Sequence, residues 1–337
     1  MYFAALSKWD NVRLMFNMSL AKFAGCYCIL ILTVLPRSFA AESSPDESSP
    51  GSGSFGLGWL DRTQSAASSS ANRFADSVDR FFGEPRSDLE AAYSSLRLSV
   101  EQLWHEHNNT DTNLHLRGKI YLPRINERLS LLFSEDEGTG QDYYERNSID
   151  SSDQQSINAN LQFNLLDEVR NRLDFRLGLR SSLKAKASVR YRYSLPQGDD
   201  LQHRFAQTLY FIDSQGFGSL SRYQLDKTLG AETLLRWSSD LRLEEELSGA
   251  FWSSELSSSH RVSNQTAFLY YGRIQGQTSP GFVQSYDLGF RLRKNIARPW
   301  LFMEIEPGHS WTKITPAFKR RSSFYVFLRL EMAIGRI

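Results

Sequence analysis

Phe324-Tyr325-Val326-Phe327-Leu328-Arg329-Leu330-Glu331-Met332-Ala333-Ile334 alternates without a break. Phe324, Val326, Leu328, Leu330, Met332 and Ile334 share one parity, and Tyr325, Phe327, Arg329 and Glu331 share the other. Successive side chains of a strand point to opposite faces, so the stretch reads as one greasy face backed by a charged one.

The same period runs back to about Tyr93. Leu96, Leu98 and Val100 mark a first strand. Leu114, Leu116, Ile120 and Leu122 mark a second, with Arg117 and Lys119 opposite. Leu129, Leu131 and Phe133 follow, then Ile157 to Leu165 with Asn158, Asn160, Gln162 and Asn164 on the other parity. Leu173 to Leu179 opposes Asp174, Arg176 and Arg180, and Val189 to Tyr193 opposes Lys186, Arg190 and Arg192. Later segments centre on 205–211, 217–225, 229–237, 241–251, 262–274, 282–292 and 301–305. Alternating segments of roughly ten residues are the signature of a membrane-spanning barrel, here all-β and antiparallel with about fourteen strands. Apolar parity runs unbroken from Phe217 to Trp237, so one long strand there, and a barrel of about twelve, is the alternative.

Connection lengths support an even count. With the N-terminus in the periplasm, the longest connection, Glu135 to Gln154, falls on the outer side. Pro123–Asn126, Asp226-Lys227-Thr228 and Asn295–Arg298 are then short periplasmic turns. Glu245 lies on the apolar parity of its segment and is expected near an interface. Tyr191, Tyr193, Trp237, Tyr270, Trp300 and Trp311 are expected in interfacial belts.

The 337-residue chain carries a net charge of +1 and 13% aromatic residues. Its mean hydropathy of −0.42 is too polar for a helical membrane protein but suits a barrel, where only alternate residues face lipid. The one long apolar run, Phe23 to Leu35, is short of the roughly 20 residues of a spanning helix. Lys22 precedes it and Ser38-Phe39-Ala40 follows, which predicts a signal peptide over 1–40. Cys26 and Cys28 both lie there, so residues 41–337 offer no disulfide and no cysteine-based metal site. Removing Lys8, Arg13, Lys22 and Arg37 against Asp10 leaves a slightly acidic remainder, and nothing points to nucleic acid.

Residues 41–58 are rich in Ser, Pro and Gly and read as a flexible linker. Residues 59–92 form a periplasmic segment with a short helix. Phe74, Val78, Phe81 and Phe82 recur at helical spacing, Asp76 and Asp79 lie opposite, and Gly83-Glu84-Pro85 stops it. This helix is expected to pack on the periplasmic rim of a barrel over 93–337, with a plug or a partner-docking element as the sharper alternative.

The leader, linker, alternating strands and amphipathic last strand resemble Gram-negative outer-membrane β-barrel proteins of porin-like architecture. Arg298-Pro299-Trp300-Leu301-Phe302-Met303-Glu304-Ile305-Glu306-Pro307 resembles a hallmark of proteobacterial outer-membrane proteins. The resemblance implies contact with outer-membrane lipid and lipopolysaccharide, and with the barrel-assembly machinery. The final strand would be its signal, although Gly335-Arg336-Ile337 departs from the usual aromatic ending. Residues 59–92 could also engage a periplasmic partner.

The inward parity carries the chemistry. The first half presents Arg117, Lys119, Arg176, Arg180, Lys184, Lys186, Arg190 and Arg192. The second presents Glu244, Glu246, Glu304, Glu306 and Glu331, with Arg242, Arg291, Arg293 and Arg329 among them. A basic wall facing a partly acidic one would favour anions along the basic side. This predicts a passive pore for small polar or anionic solutes. Pairing across the lumen would instead give a closed scaffold or an assembly and export accessory. A barrel-borne hydrolase is a third class. The six histidines are scattered, no G-x-S-x-G or H-E-x-x-H motif occurs, and no cofactor or metal ligand set is expected. The acidic stretch Glu135 to Asp153 lacks the spacing of a calcium loop.

Overall fold

A strand whose two faces differ must pair on both edges, and closing the sheet removes the last free edges. In the computed structural model, residues 77–78, 81–82, 95–106, 110–121, 129–134, 158–168, 170–179, 184–213 and 215–335 are described. Fourteen strands close into one barrel in sequence order, each antiparallel to its neighbours. They are β1 (Ser95–His105), β2 (Asp111–Tyr121), β3 (Leu129–Ser134), β4 (Asn158–Asp167) and β5 (Asn171–Leu179). Next come β6 (Ala185–Gln197), β7 (Leu201–Ile212), β8 (Gly216–Leu229), β9 (Thr233–Glu244) and β10 (Ala250–Ser263). The set ends with β11 (Thr266–Thr278), β12 (Gly281–Asn295), β13 (Leu301–Thr312) and β14 (Arg321–Gly335). β14 meets β1 with Leu98 opposite Met332 and Val100 opposite Leu330, which keeps apolar residues on one face across the closure.

The apolar parity points outward. Val100, Leu114, Leu177, Leu256, Leu288 and Leu330 are exposed, whereas Glu101, Asp174, Arg293, Glu304 and Glu331 are buried. That is inside-out for a water-soluble sheet and correct for a barrel in lipid. Outward aromatic rings cluster towards both rims. Tyr223 with Trp237, and Tyr270 with Phe290, lie towards the rim that holds both ends of the barrel, here the terminal rim. Phe211 with Phe217, and His309 with Trp311, lie towards the opposite rim.

The strand count matches the sequence reading, but two segments were cut in the wrong place. Asp226 and Thr228 belong to β8, and the turn comes at Gly230–Glu232. Gly230 holds φ 73°, a conformation glycine adopts without the Cβ clash other residues incur. The unbroken parity from Phe217 to Trp237 therefore spans two strands rather than one. Predicted segments 229–237 and 241–251 are in fact the single strand β9 and the start of β10. The rest of β10 was missed because polar residues interrupt its outer face, where Ser254, Ser258 and His260 alternate with Leu256 and Val262. Two of these are satisfied within the wall, Ser254 Oγ accepting from Trp237 Nε1 at 2.9 Å and His260 Nδ1 lying 2.9 Å from Thr233 Oγ1. Gln207 likewise bonds Ser219 and Ser221 on the outer face.

Glu245 lies beyond β9 in an exposed turn, where its carboxylate accepts the Phe217 N–H at 3.1 Å. Glu245→Ala is expected to lower stability by only about 0.5–1.5 kcal/mol, read as a small shift of the urea midpoint. A larger loss would mean that the residue sits in the hydrocarbon. The predicted loop 135–154, the leader, the linker and most of 59–92 lie outside the described residues.

Candidate functional site: the charged lumen

The register stacks unlike charges side by side. Arg293 of β12 lies opposite Glu304 of β13, Glu304 opposite Arg329 of β14, and Arg329 opposite Glu101 of β1. Four neighbouring strands thus carry alternating sign at one level. Glu304 accepts from Arg293 at 3.1 Å and Arg329 at 3.1 Å, and Arg291 lies 3.5 Å away. Arg329 Nε donates to Glu101 at 2.7 Å, and His115 Nε2 lies 3.0 Å from the same carboxylate. Glu331 accepts from Arg293 at 2.5 Å and Arg97 at 2.8 Å. Glu306 accepts from Arg291 Nε and from Tyr271 Oη, each at 2.6 Å. Bidentate-capable guanidiniums shared between carboxylates satisfy charges that burial would otherwise penalise.

The β7–β11 wall repeats the device in smaller units. Asp226 lies between Arg204 and Arg236, each at 2.9 Å. Arg222 grips Asp240 through Nε at 2.7 Å and Nη2 at 3.0 Å. Arg273 grips Glu255 at 2.6 Å. Arg242 is 3.9 Å from Glu244, whose carboxylate also accepts from Tyr210 Oη at 2.8 Å.

The β2–β6 wall is different. Its inward parity holds Arg117, Lys119, Arg172, Arg176, Lys186, Arg190 and Arg192. Asp174, fully buried, is the acid in the middle of this wall among the described residues, and Arg172 and Arg192 converge on it. Among the described residues the inward face of this wall therefore carries more bases than acids.

Of the sequence-predicted lumen residues, Glu304, Glu306, Arg329 and Glu331 come together in the β12–β1 network. Arg117, Lys119, Arg176, Lys186, Arg190 and Arg192 stand on the basic wall. Lys184 is half-buried just before β6. Arg180 lies outside the described residues. Glu246 is corrected: β9 ends at Glu244, so Glu246 sits exposed in the following turn rather than on the wall. The expected partly acidic wall is also corrected. Its carboxylates are taken up by arginines one or two strands away, so that wall is charge-compensated. Asp226 was missed because it was read as turn. Glu101, Asp240, Glu255 and Tyr271 were missed although parity alone places them inward.

His309 Nε2 meets Ser322 Oγ at 2.7 Å, which the sequence did not suggest. Both lie on the outer parity, and the register neighbours of His309 are Leu288 and Phe324. Neither of these register neighbours is a carboxylate that could orient a base.

No protein-family model and no curated protein matches the sequence. Among solved structures the chain is similar to OmpT of Vibrio cholerae, at 9% identity over 73% of this chain and 99% of that one, TM-score 0.43. It is similar to OccK11 of Pseudomonas aeruginosa, at 10% identity over 75% and 100%, TM-score 0.43. It is also similar to the porin NanC, at 8% identity over 70% and 98%, TM-score 0.35. Closed by antiparallel pairing, apolar outside and charged within, the chain has the build of a membrane-spanning β-barrel.

Proposed function

We propose that the chain is a passive pore for small polar solutes, with a preference for anions. The observation that carries this reading is the base-rich β2–β6 wall facing a charge-compensated wall across the lumen. A wall rich in arginine and lysine concentrates counter-ions, and field lines focus where low-dielectric walls surround a narrow polar path. Fourteen strands fall between small barrels filled by side chains and the 16–18-stranded barrels that leave a channel. In this reading residues 1–40 are removed and the terminal rim faces the periplasm. The longest described connection, 313–320, lies at the opposite rim, which suits that orientation, whereas 279–280 at that rim is as short as 264–265 at the terminal rim.

A non-conducting scaffold is favoured by one observation, the contact of Val78, Phe81 and Phe82 with inward-facing side chains at the terminal rim. Single-channel recording of the refolded mature chain in a planar bilayer separates the two. Stable steps are expected, with the anion-to-cation permeability ratio falling severalfold in Arg176→Glu/Arg190→Glu. A folded barrel without steps overturns the pore, and unchanged selectivity in the double variant overturns the role of the wall.

A further inference from the structure

Within a lumen lined by charge, an inward patch at the terminal rim is apolar. Leu234 of β9, Ala267 and Leu269 of β11 and Phe302 of β13 all lie within the first few residues of their strands, on the terminal rim. Val78 and Phe82, 5% and 2% exposed, join Leu234 and Ala267 in one buried cluster, with Phe81 and Leu269 packed against it. The Phe81 ring meets Phe302 edge-on at 5.9 Å. Phe82 N–H donates to Val78 C=O at 2.9 Å, as a helical turn requires, and Arg261 of β10 donates to Ser77 Oγ. Inward positions next to the strand ends on the opposite side of the same rim, such as Lys119 and Arg172, are cationic.

We propose that Ser77, Val78, Phe81 and Phe82 form an internal constriction seated on the β9–β13 side of the terminal rim, which diverts permeating solutes along the cationic β2–β6 side. The proposal rests on the pore reading above. The fit is chemical: the apolar edge of the turn covers the lumen's apolar patch, which otherwise would be wetted. The fit is also one-sided, because every described contact of the segment falls on β9, β10, β11 or β13. The Phe81 and Phe82 rings and the Val78 side chain, seated inside the barrel, take cross-section from the bore of a barrel this size. Solute leaving or entering at this rim therefore runs past the basic side, so the segment sharpens anion preference as well as narrowing the path. The seat is not part of the wall hydrogen bonding, so loosening it leaves the barrel closed.

Two measurements on the full mature chain test this separately. First, Phe81→Cys/Phe302→Cys, in a chain whose native cysteines lie in 1–40, is treated with a short bis-thiol reagent. Efficient intramolecular cross-linking is expected, and little in Phe81→Cys/Lys119→Cys. Equal cross-linking of both pairs, or of neither, overturns the seat whatever the conductance. Second, Phe81→Asp/Phe82→Asp is expected to raise unitary conductance about twofold and to lower anion selectivity, because the freed cross-section opens the compensated side. Unchanged conductance and selectivity in this variant, with wild type conducting, overturns the constriction. If neither wild type nor variant conducts while the first pair cross-links, the pore reading fails and the diverting role fails with it, whereas the seat stands.

Discussion

Glu304→Ala should lower the stability of the folded barrel by about 3–5 kcal/mol, the range for breaking a buried ion pair from one side. Glu304 is fully buried and is shared by Arg293, Arg329 and Arg291. Removing it leaves three guanidiniums facing one another, with Glu101, Glu306 and Glu331 as their remaining counter-charges. The loss is then more than one hydrogen bond, because like charges at short range in a poorly hydrated wall repel. Glu304→Gln keeps the acceptor oxygen and the shape but not the charge, so it should fall between wild type and Ala. Reversible urea unfolding in lipid vesicles, with heat-dependent gel mobility as the sign of the folded state, checks both. A loss under about 1 kcal/mol for Glu304→Ala would place the site in well-hydrated surroundings, where pairs contribute little.

The same residue shows what can be read from sequence and what cannot. Glu304 and Arg329 were placed inward by parity alone, because period 2 is a property of each strand by itself. Their pairing needed the register of β13 on β14, which no single segment contains. The acidic side of the lumen therefore looked like a field facing the basic wall, and in fact it is neutralised within its own wall. Strand existence was legible wherever the lipid-facing parity was purely apolar, as in β14 and β5. It failed in β10, where Ser254, Ser258 and His260 on the outer face erase the contrast between parities. The β8–β9 boundary slipped because Asp226-Lys227-Thr228 has turn composition, yet Asp226 is buried between two arginines. A turn residue in sequence was a lumen residue in space. Val78, Phe81 and Phe82 could be grouped by spacing in the sequence. Their seat was not legible, because Leu234, Ala267 and Phe302 come together only once the barrel closes.

Gly308→Ala is expected to destabilise the barrel by about 2–4 kcal/mol, combining overpacking of about 1–3 kcal/mol with the weakening of a buried hydrogen bond. A Cβ at Gly308 would overlap the ring of Tyr325, the residue directly across the β13–β14 register from neighbouring Gly308. Such an overlap is cheap where the side chain can swing away. Tyr325 cannot do so freely: it is 2% exposed, and its Oη lies 2.7 Å from Tyr271 Oη. Tyr271 in turn donates to Glu306 at 2.6 Å and lies over Gly289 of β12 in the same manner. Each tyrosine covers the bare backbone of a glycine on the adjacent strand, and the two hydroxyls join the covers into one chain ending on a carboxylate. If displacement of Tyr325 is the cause of the loss, the damage should not add. Gly308→Ala/Tyr325→Ala should cost less than the sum of the single variants by about 1 kcal/mol or more, since the second change removes the ring that the first one strikes. Additive losses would mean that glycine is needed at 308 for its backbone alone. Tyr325→Phe, which keeps the ring and drops the hydroxyl, should retain the overpacking part of the Gly308→Ala penalty and remove only the hydrogen-bond part.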